Sequence, residues 1–414
     1  MDRNSRWLVI LLFGTILFGA ESMVRAAAPA GAACVRTGSV GIFGEQQAAV
    51  APTNASSTDY SQEIAKAQAI AKRIYDEGLE AGAKELQGKK LRPTGFAVAV
   101  AVNGKVLWTQ GYGKADLEQN VPVTTSTKFR IGSVSKPLTA TAVALLREQG
   151  RLDIDAPVQK YVPIFPDKGT VITTRELGGH LAGIRHYKEN EFETCAHYKN
   201  VVDALDIFKN DPLIAPPGTK YSYSSYGFNL ISAVVQNASG EDFRAYMLEK
   251  VFTPLGLNDT AADEEDTLIP NRARFYDYRN DGTYRNSALT DNSYKWAGGG
   301  FLSTPRDLVT FGSAMLHPGL LNEDSLKMLF TRQHTNDGKP TDYGFGWGIH
   351  ENSGEPRLWE HSGGATGGSA KLFLYPDQGV VFAWTMNTTG LNTKPFEEIG
   401  KLFVEAEKQR KGKK

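Results

Sequence analysis

The chain has 414 residues, 41% hydrophobic and 22% charged, with 42 glycines spread along it. That is enough length for a large buried core, about three domains at ~150 residues each, and a composition neither disordered nor collagen-like. Lys and Arg number 46 against 46 Asp and Glu, so no net field exists to hold nucleic acid or an anionic membrane, which argues against a basic nucleic-acid binder. Two cysteines exclude a disulfide framework and a four-cysteine zinc site; a single Cys34–Cys195 bridge is the one pairing the count allows.

Taken in chain order, residues 8–20 (LVILLFGTILFGA) form the one long apolar run, flanked by Arg3, Arg6 and the Ala-rich residues 26–33. It is shorter than the ~20 residues a bilayer needs and has the layout of a secretory signal; an import signal or short membrane anchor is the competing reading. Asp2 and Glu21 weigh against a simple mitochondrial presequence, although a two-part presequence with a sorting segment has this layout. Residues 26–60 are rich in Ala, Gly, Ser and Thr without periodicity, as a tether would be. Residues 1–25 then read as an address segment, 26–60 as a linker and 61–410 as one folded unit without internal repeats.

Residues 62–86 carry Ile64, Ala67, Ile70, Ile74 and Leu79 among charges, which predicts an amphipathic helix. The apolar run 96–102, then Asn103-Gly104, then residues 105–109 predict a β-hairpin with a type I′ turn. A helix is expected from Ser133, with Leu138, Ala142, Leu145 and Leu146 on one face, Pro137 tolerated in the first turn and a stop at Gly150. Residues 230–235 are an apolar helical run preceded by a loop crowded with Tyr and Ser. Strands at 371–375 and 380–386, joined by Pro376-Asp-Gln-Gly379, precede a helical tail from about Lys394. The expected architecture is α+β: an antiparallel sheet formed by both chain ends and flanked by helices, with an inserted, mostly helical subdomain.

Three stretches carry candidate chemistry. In Ser133-Val-Ser-Lys136 the lysine stands one turn beyond the serine on the same helix face. A serine hydroxyl becomes a nucleophile when a base takes its proton, and a lysine does so once burial lowers its pKa; the helix N-terminus also favours negative charge beside the serine. The plain alternative is a Ser N-cap followed by a solvated lysine. In Tyr223-Ser-Ser225 the phenol could accept a proton as phenolate beside a Lys136 cation, and Ser225 could hydrogen-bond a substrate amide; a loop corner filled by tyrosines is the plain reading. In His361-Ser-Gly363-Gly364, glycines at a strand edge admit a substrate backbone, and a backbone N–H there could face that of Ser133 as an oxyanion hole. His361 could donate an N–H to Tyr223 or to substrate, or only pack against Trp359, while His180 and His186 read as structural residues satisfying buried backbone groups. No His-x-x-x-His spacing supports a metal, so neither metal nor cofactor is expected.

In this order the three stretches resemble the S-x-x-K, Y-x-N and K-T-G or H-x-G motifs of the serine β-lactamase-like, penicillin-recognising enzymes of the class C type. Supporting stretches are Ile172-Thr-Thr-Arg-Glu-Leu-Gly-Gly-His180-Leu-Ala-Gly-Ile184 and Ala297-Gly-Gly-Gly-Phe-Leu-Ser-Thr-Pro-Arg-Asp-Leu308. Gly183-Ile-Arg-His-Tyr187 and Asp291-Asn-Ser-Tyr-Lys-Trp-Ala-Gly-Gly-Gly300 are similar to the animal mitochondrial branch of that family. The resemblance implies Ser133 as acylated nucleophile, Lys136 as its proton acceptor and Tyr223 as the base that returns a proton to the leaving group. It implies the N–H groups of Ser133 and Gly364 as oxyanion donors, with Ser225, His361 and Gly363 lining the substrate site. Ser225 stands where many relatives carry Asn, and His361 where β-lactamases carry Lys, which turns the reading from antibiotic hydrolysis toward a peptidase. A filament or scaffold protein with a vestigial site, and a small-ester esterase, are the alternatives. The implied setting is the mitochondrial intermembrane space or, alternatively, secretion; homo-oligomers or filaments, membrane association through the N-terminal segment, a link to mitochondrial lipid metabolism and a peptide or small acyl substrate complete the expectation.

Overall fold

In the sheet, alternating residue size decides which layer each face accepts. The computed structural model describes residues 60–188 and 191–412; the apolar run, the linker and Cys34 lie outside them. A seven-stranded antiparallel sheet is built from β1 (Gly95–Val102), β2 (Lys105–Asp116), β3 (Val121–Pro122), β4 (Gly348–His350), β5 (Leu358–Ala365), β6 (Gly368–Tyr375) and β7 (Val380–Met386). Their order is β4-β5-β6-β7-β1-β2-β3. The two chain ends meet where β7 pairs β1, Val380 opposite Val102 and Met386 opposite Phe96. Asn103 and Gly104 have φ of 48° and 78°, the two positive values that the tight β1–β2 turn requires.

Along β1 the larger side chains Phe96, Val98, Val100 and Val102 point to one face and Ala97, Ala99 and Ala101 to the other. The large face packs with Phe373, Phe382 and Trp384 against the terminal helices, through Ala67, Ala71 and Ile74 of α1 (Ser61–Glu77) and Ile399 and Phe403 of α5 (Glu397–Lys411). Phe396 anchors this layer, edge-on to Phe96 at 5.0 Å and stacked on Trp384 at 4.9 Å. The small face admits a closer layer, including Leu308 and Phe311 of α4 (Pro305–Ala314), into the main core. The architecture is α+β, as expected.

The first helix is shorter than its periodicity suggested. It ends at Glu77, and residues 79–86 form a two-residue strand and a 3₁₀ turn instead. Gly78 stops it: its φ is 77°, and a Cβ there would lie 2.7 Å from the carbonyl oxygen of Leu91. Leu79 is buried as expected of the apolar stripe, but from outside the helix, and Leu86 beyond it is buried too.

On the sheet's inner side sits α2 (Ser135–Glu148), buried on every side from Ser135 to Leu146 rather than on one face. It packs on α3 (Ser225–Ser239), which is apolar nearly all round. A three-stranded ribbon joins Phe129–Arg130 to Phe301–Ser303 and Ala261–Ala262, and so fixes the approach to Ser133 against the short helix Trp296–Gly299 that contains Gly298. Beside it Asp263, almost fully buried, accepts from Arg130 at 2.7 Å, Arg272 at 3.1 Å and Asn292 at 2.7 Å. The two guanidiniums hold its carboxyl below the usual range against the opposing effect of burial. No helix among the described residues is long and apolar enough to cross a membrane.

Candidate active site

Ser133 lies on a 3₁₀ turn, Gly132–Val134, that leads directly into α2. The turn is held by the Ser135 hydroxyl, which donates to the Gly132 carbonyl at 2.7 Å and accepts the Phe301 N–H at 3.3 Å. Ser133 is partly exposed, and the lysine behind it, Lys136, is 0% exposed. Its Nζ lies 2.9 Å from Ser133 Oγ, 3.1 Å from Ser225 Oγ and 2.6 Å from the Gly298 carbonyl. No carboxylate is among these three partners, and burial pushes the ammonium well below its ordinary pKa. A neutral amine has two N–H groups and one lone pair. Gly298 O can only accept, so one N–H goes there; with the other on Ser225 Oγ, the lone pair faces the hydroxyl of Ser133. A proton moving from Ser133 to Lys136 leaves all three contacts in place.

Tyr223 ends the loop before α3, where Ser224 caps the helix by accepting the Gly227 N–H at 3.0 Å. The helix therefore starts at Ser225, five residues before the apolar run that signalled it. The Tyr223 ring centroid is 4.8 Å from Lys136 Nζ, and its phenol lies near the hydroxyls of Ser133 and Ser225. Burial raises the phenol above its usual range. Lys136 and Tyr223 are thus both driven to their neutral forms: the amine expected from the sequence for Lys136 as base, and a phenol rather than the phenolate considered for Tyr223 beside a Lys136 cation. Ser225, expected to meet a substrate amide, is 2% exposed, and its hydroxyl is engaged by Lys136, with the phenol of Tyr187 nearby.

The third motif lies on β5, with His361 and Gly363 buried and Ser362 and Gly364 exposed. A Cβ on Gly363 would fall 1.9 Å from the Ile131 carbonyl oxygen, and one on Gly132, at φ 49°, 2.5 Å from that of Gly364. Only glycines let strand and nucleophile turn approach this closely. A Cβ on Gly364 itself would meet nothing within 4 Å, so its outer side opens on the cleft next to Ser133.

His361 does not reach Tyr223 or the cleft with a donor, nor does it pack on Trp359, which stacks on Phe330 at 3.7 Å. Its Nδ1 is 2.7 Å from the Ser362 carbonyl, which can only accept, so Nδ1 carries the proton. Nε2 then accepts from the Tyr343 hydroxyl at 2.7 Å. Burial above all pushes this imidazole down to about 3, so it is neutral near pH 7. His180 and His186 meet backbone groups, as expected: their Nδ1 atoms accept the N–H of Ser224 at 3.2 Å and of Ser225 at 3.1 Å.

Three contributors to the site are not among the residues expected from the sequence: Tyr343, Tyr187 and the Gly298 carbonyl. Gly298 and Tyr187 sit inside the family-like stretches, whereas Tyr343 lies in an unpatterned loop with no such signal. Among the described residues no group of three or more His, Cys, Asp or Glu is placed to hold a metal ion.

A family profile described as Beta-lactamase matches residues 79–404. The chain is 34% identical to the serine beta-lactamase-like protein LACTB, mitochondrial, of Homo sapiens, over 69% of each chain. It is 28% identical to penicillin-binding protein 4* of Bacillus subtilis (strain 168), over 71% of this chain and 68% of that relative. Among solved structures, the D-amino acid amidase from Ochrobactrum anthropi SV3 superposes with a TM-score of 0.69 at 22% identity, covering 85% of this chain and all of that one. The octameric penicillin-binding protein homologue from Pyrococcus abyssi gives a TM-score of 0.68 at 22% identity, over 83% and 76%. At these identities the structural likeness speaks for the fold alone.

Proposed function

The chain belongs to the β-lactamase family, it is a serine hydrolase, and on that premise we propose that it cleaves peptides through an acyl-enzyme on Ser133. The observation that carries this reading is the buried Lys136 amine, 2.9 Å behind a partly exposed serine and without a carboxylate among its three hydrogen-bond partners. Lys136 takes the Ser133 proton as Oγ attacks the acyl carbon. The N–H groups of Ser133 and Gly364 stabilise the oxyanion. Tyr223, held as a phenol, gives its proton to the leaving amine and is reprotonated from Lys136 through the hydroxyls between them, leaving the ester on Ser133. Water then attacks this ester by the reverse proton route and restores the serine.

His361 selects among substrates by what it lacks. Neutral, and with both ring nitrogens engaged, it gives no cation to hold a substrate carboxylate, which favours internal peptide bonds or neutral esters over β-lactams and C-terminal trimming. Incubation with an active-site phosphonate followed by mass spectrometry should place the adduct on Ser133 and lose it in Ser133→Ala; an adduct elsewhere, or none, overturns the reading. Cleavage of a peptide library, set beside short p-nitrophenyl esters, separates peptidase from esterase. The word mitochondrial in the name of the relative from Homo sapiens supports a mitochondrial setting. The intermembrane space, membrane association through residues 1–25, assembly into homo-oligomers or filaments and the link to lipid metabolism belong to the same proposal. Imaging of a C-terminal fusion with and without residues 1–25, and electron microscopy of the purified protein, test them.

A further inference from the structure

Tyr223 is bracketed by one short segment of chain, residues 180–186. On one side of it the Ser222 N–H donates to the His180 carbonyl at 2.8 Å. On the other, the Ser224 N–H donates to Nδ1 of the same histidine at 3.2 Å, and the Ser224 hydroxyl to the Arg185 carbonyl at 2.7 Å. One residue later the Ser225 N–H donates to His186 Nδ1 at 3.1 Å. Two imidazoles thus take consecutive backbone donors at the start of α3, where no helical carbonyl is available to them. Both rings also pack on the phenol ring, His180 at 4.3 Å and His186 edge-on at 5.6 Å between centroids.

The segment itself is firmly held. Arg185 forms a two-pronged pair with Glu191 at 2.7 and 2.9 Å and a second pair with Asp211, and Glu191 also accepts from Tyr226 of α3. His180 adopts φ 60°, a left-handed conformation that a side chain with Cβ rarely takes. Strain of this kind persists where the surroundings over-determine it and concentrates at functional sites. Here it falls on the residue that gives two contacts to the Tyr223 segment. Because Nδ1 of His180 accepts, Nε2 carries its proton, and that N–H has no hydrogen-bond partner among the described residues; it sits among the rings of Tyr223, Tyr343 and Phe228. A proton added at Nδ1 would face the Ser224 N–H, so the ring serves this contact only when neutral, as its burial keeps it.

We propose that His180 and His186 are positioning residues, whose Nδ1 lone pairs fix the Tyr223 phenol and the Ser225 hydroxyl against Lys136 without transferring protons themselves. The inference rests on the hydrolase reading of Ser133. Its requirement is an acceptor at the Nδ1 position, which the Oδ1 of asparagine can also present, whereas leucine fills the volume without one.

The experiment measures phosphonate labelling of Ser133, with kcat and KM on a peptide whose amine leaving group must be protonated to depart, in full-length protein carrying His186→Leu, His186→Asn, His180→Leu or His180→Asn. Thermal melting verifies that each variant is folded. Misplacing a proton donor by a fraction of an ångström slows acyl transfer, so each leucine variant should lose ~10–100-fold in kcat with KM within about 3-fold, and each asparagine variant should recover most of that loss. Should His180→Leu fail to fold, the His186 pair decides alone, since His186 is exposed and its replacement opens no core cavity. A folded His186→Leu with the kcat of the parent overturns the inference. So does a His186→Asn as slow as His186→Leu, because the imidazole itself would then be required. Absence of any Ser133 adduct in the parent protein refutes the hydrolase reading instead.

Discussion

Lys136 and His361 are two buried basic side chains of the same cleft, and burial drives both to their neutral forms. They nevertheless differ in what they can do. The lone pair of Lys136 faces the Ser133 hydroxyl, because the other two partners of Nζ take its N–H groups. The lone pair of His361 is occupied by Tyr343 and its N–H by the Ser362 carbonyl. A depressed pKa makes a base available in principle; the hydrogen bonds around it decide whether a substrate or nucleophile ever meets its lone pair. The contrast is tested by removing each side in turn.

The largest effect belongs to Lys136. Replacement by methionine keeps the volume and the apolar stem while removing the base, and should lower kcat for hydrolysis of a p-nitrophenyl ester by ~10³–10⁴-fold, about as far as Ser133→Ala. The double variant should be no slower than either single one, since the two groups act as a unit. In the parent, activity should fall with decreasing pH as Lys136 takes up a proton and its lone pair is lost. Next comes Tyr223→Phe, which removes the donor to the leaving group but not the base. A loss of ~10²-fold is expected for a peptide, where the amine must be protonated to depart, and much less for a p-nitrophenyl ester, whose leaving group needs no proton.

The third test reads His361 through stability. Its pKa is about 3 in the folded chain and near 6.5 in the unfolded one, so between these values the unfolded state binds the extra proton. The contribution to stability is complete above about 6.5 and is lost as pH falls toward 3, with a slope of at most ~1.4 kcal/mol per pH unit. His180 acts in the same direction, and Asp307, pushed up to about 6 by burial, acts in the opposite one. Only the difference between His361→Gln and the parent is therefore diagnostic: Tm measured from pH 6.5 to 5 should fall less steeply in the variant. Equal slopes would mean that the ring is charged in the folded protein, and the contrast with Lys136 would collapse.

The same residues mark how far the amino-acid pattern alone reaches. Ser133 and Lys136 lie three residues apart on one helix, so the local repeat alone brings them together, just as Asn103-Gly104 alone announces the β1–β2 turn. The order of the three motifs supplies the third dimension for Tyr223 and Gly364, but not the partners of each group. His361 meets Tyr343 across a hairpin, His180 meets Ser224 from 44 residues away, and Gly298 offers only a backbone carbonyl, which no side-chain pattern encodes. Periodicity misleads at α1 because Leu79 and Leu86 are buried apolar residues on either reading, and a positive φ at Gly78, invisible to a hydrophobic count, ends the helix.

The smallest kinetic effect should come from Tyr343→Phe, and its smallness is what would sharpen the contrast. The change removes the hydroxyl that occupies His361 Nε2 and leaves a buried acceptor unpaired, a cost of about 1–3 kcal/mol in denaturant unfolding. The imidazole keeps its donor bond to Ser362 and, with it, its tautomer and orientation. Acylation of Ser133 should therefore change by less than ~3-fold, since none of the three partners of Lys136 is touched. Were Tyr343→Phe instead to slow acylation as much as Tyr223→Phe, the Tyr343–His361 pair would have to be delivering a proton to the cleft. Stability and rate respond to different atoms here: stability to the paired Nε2, rate to the lone pair on Lys136.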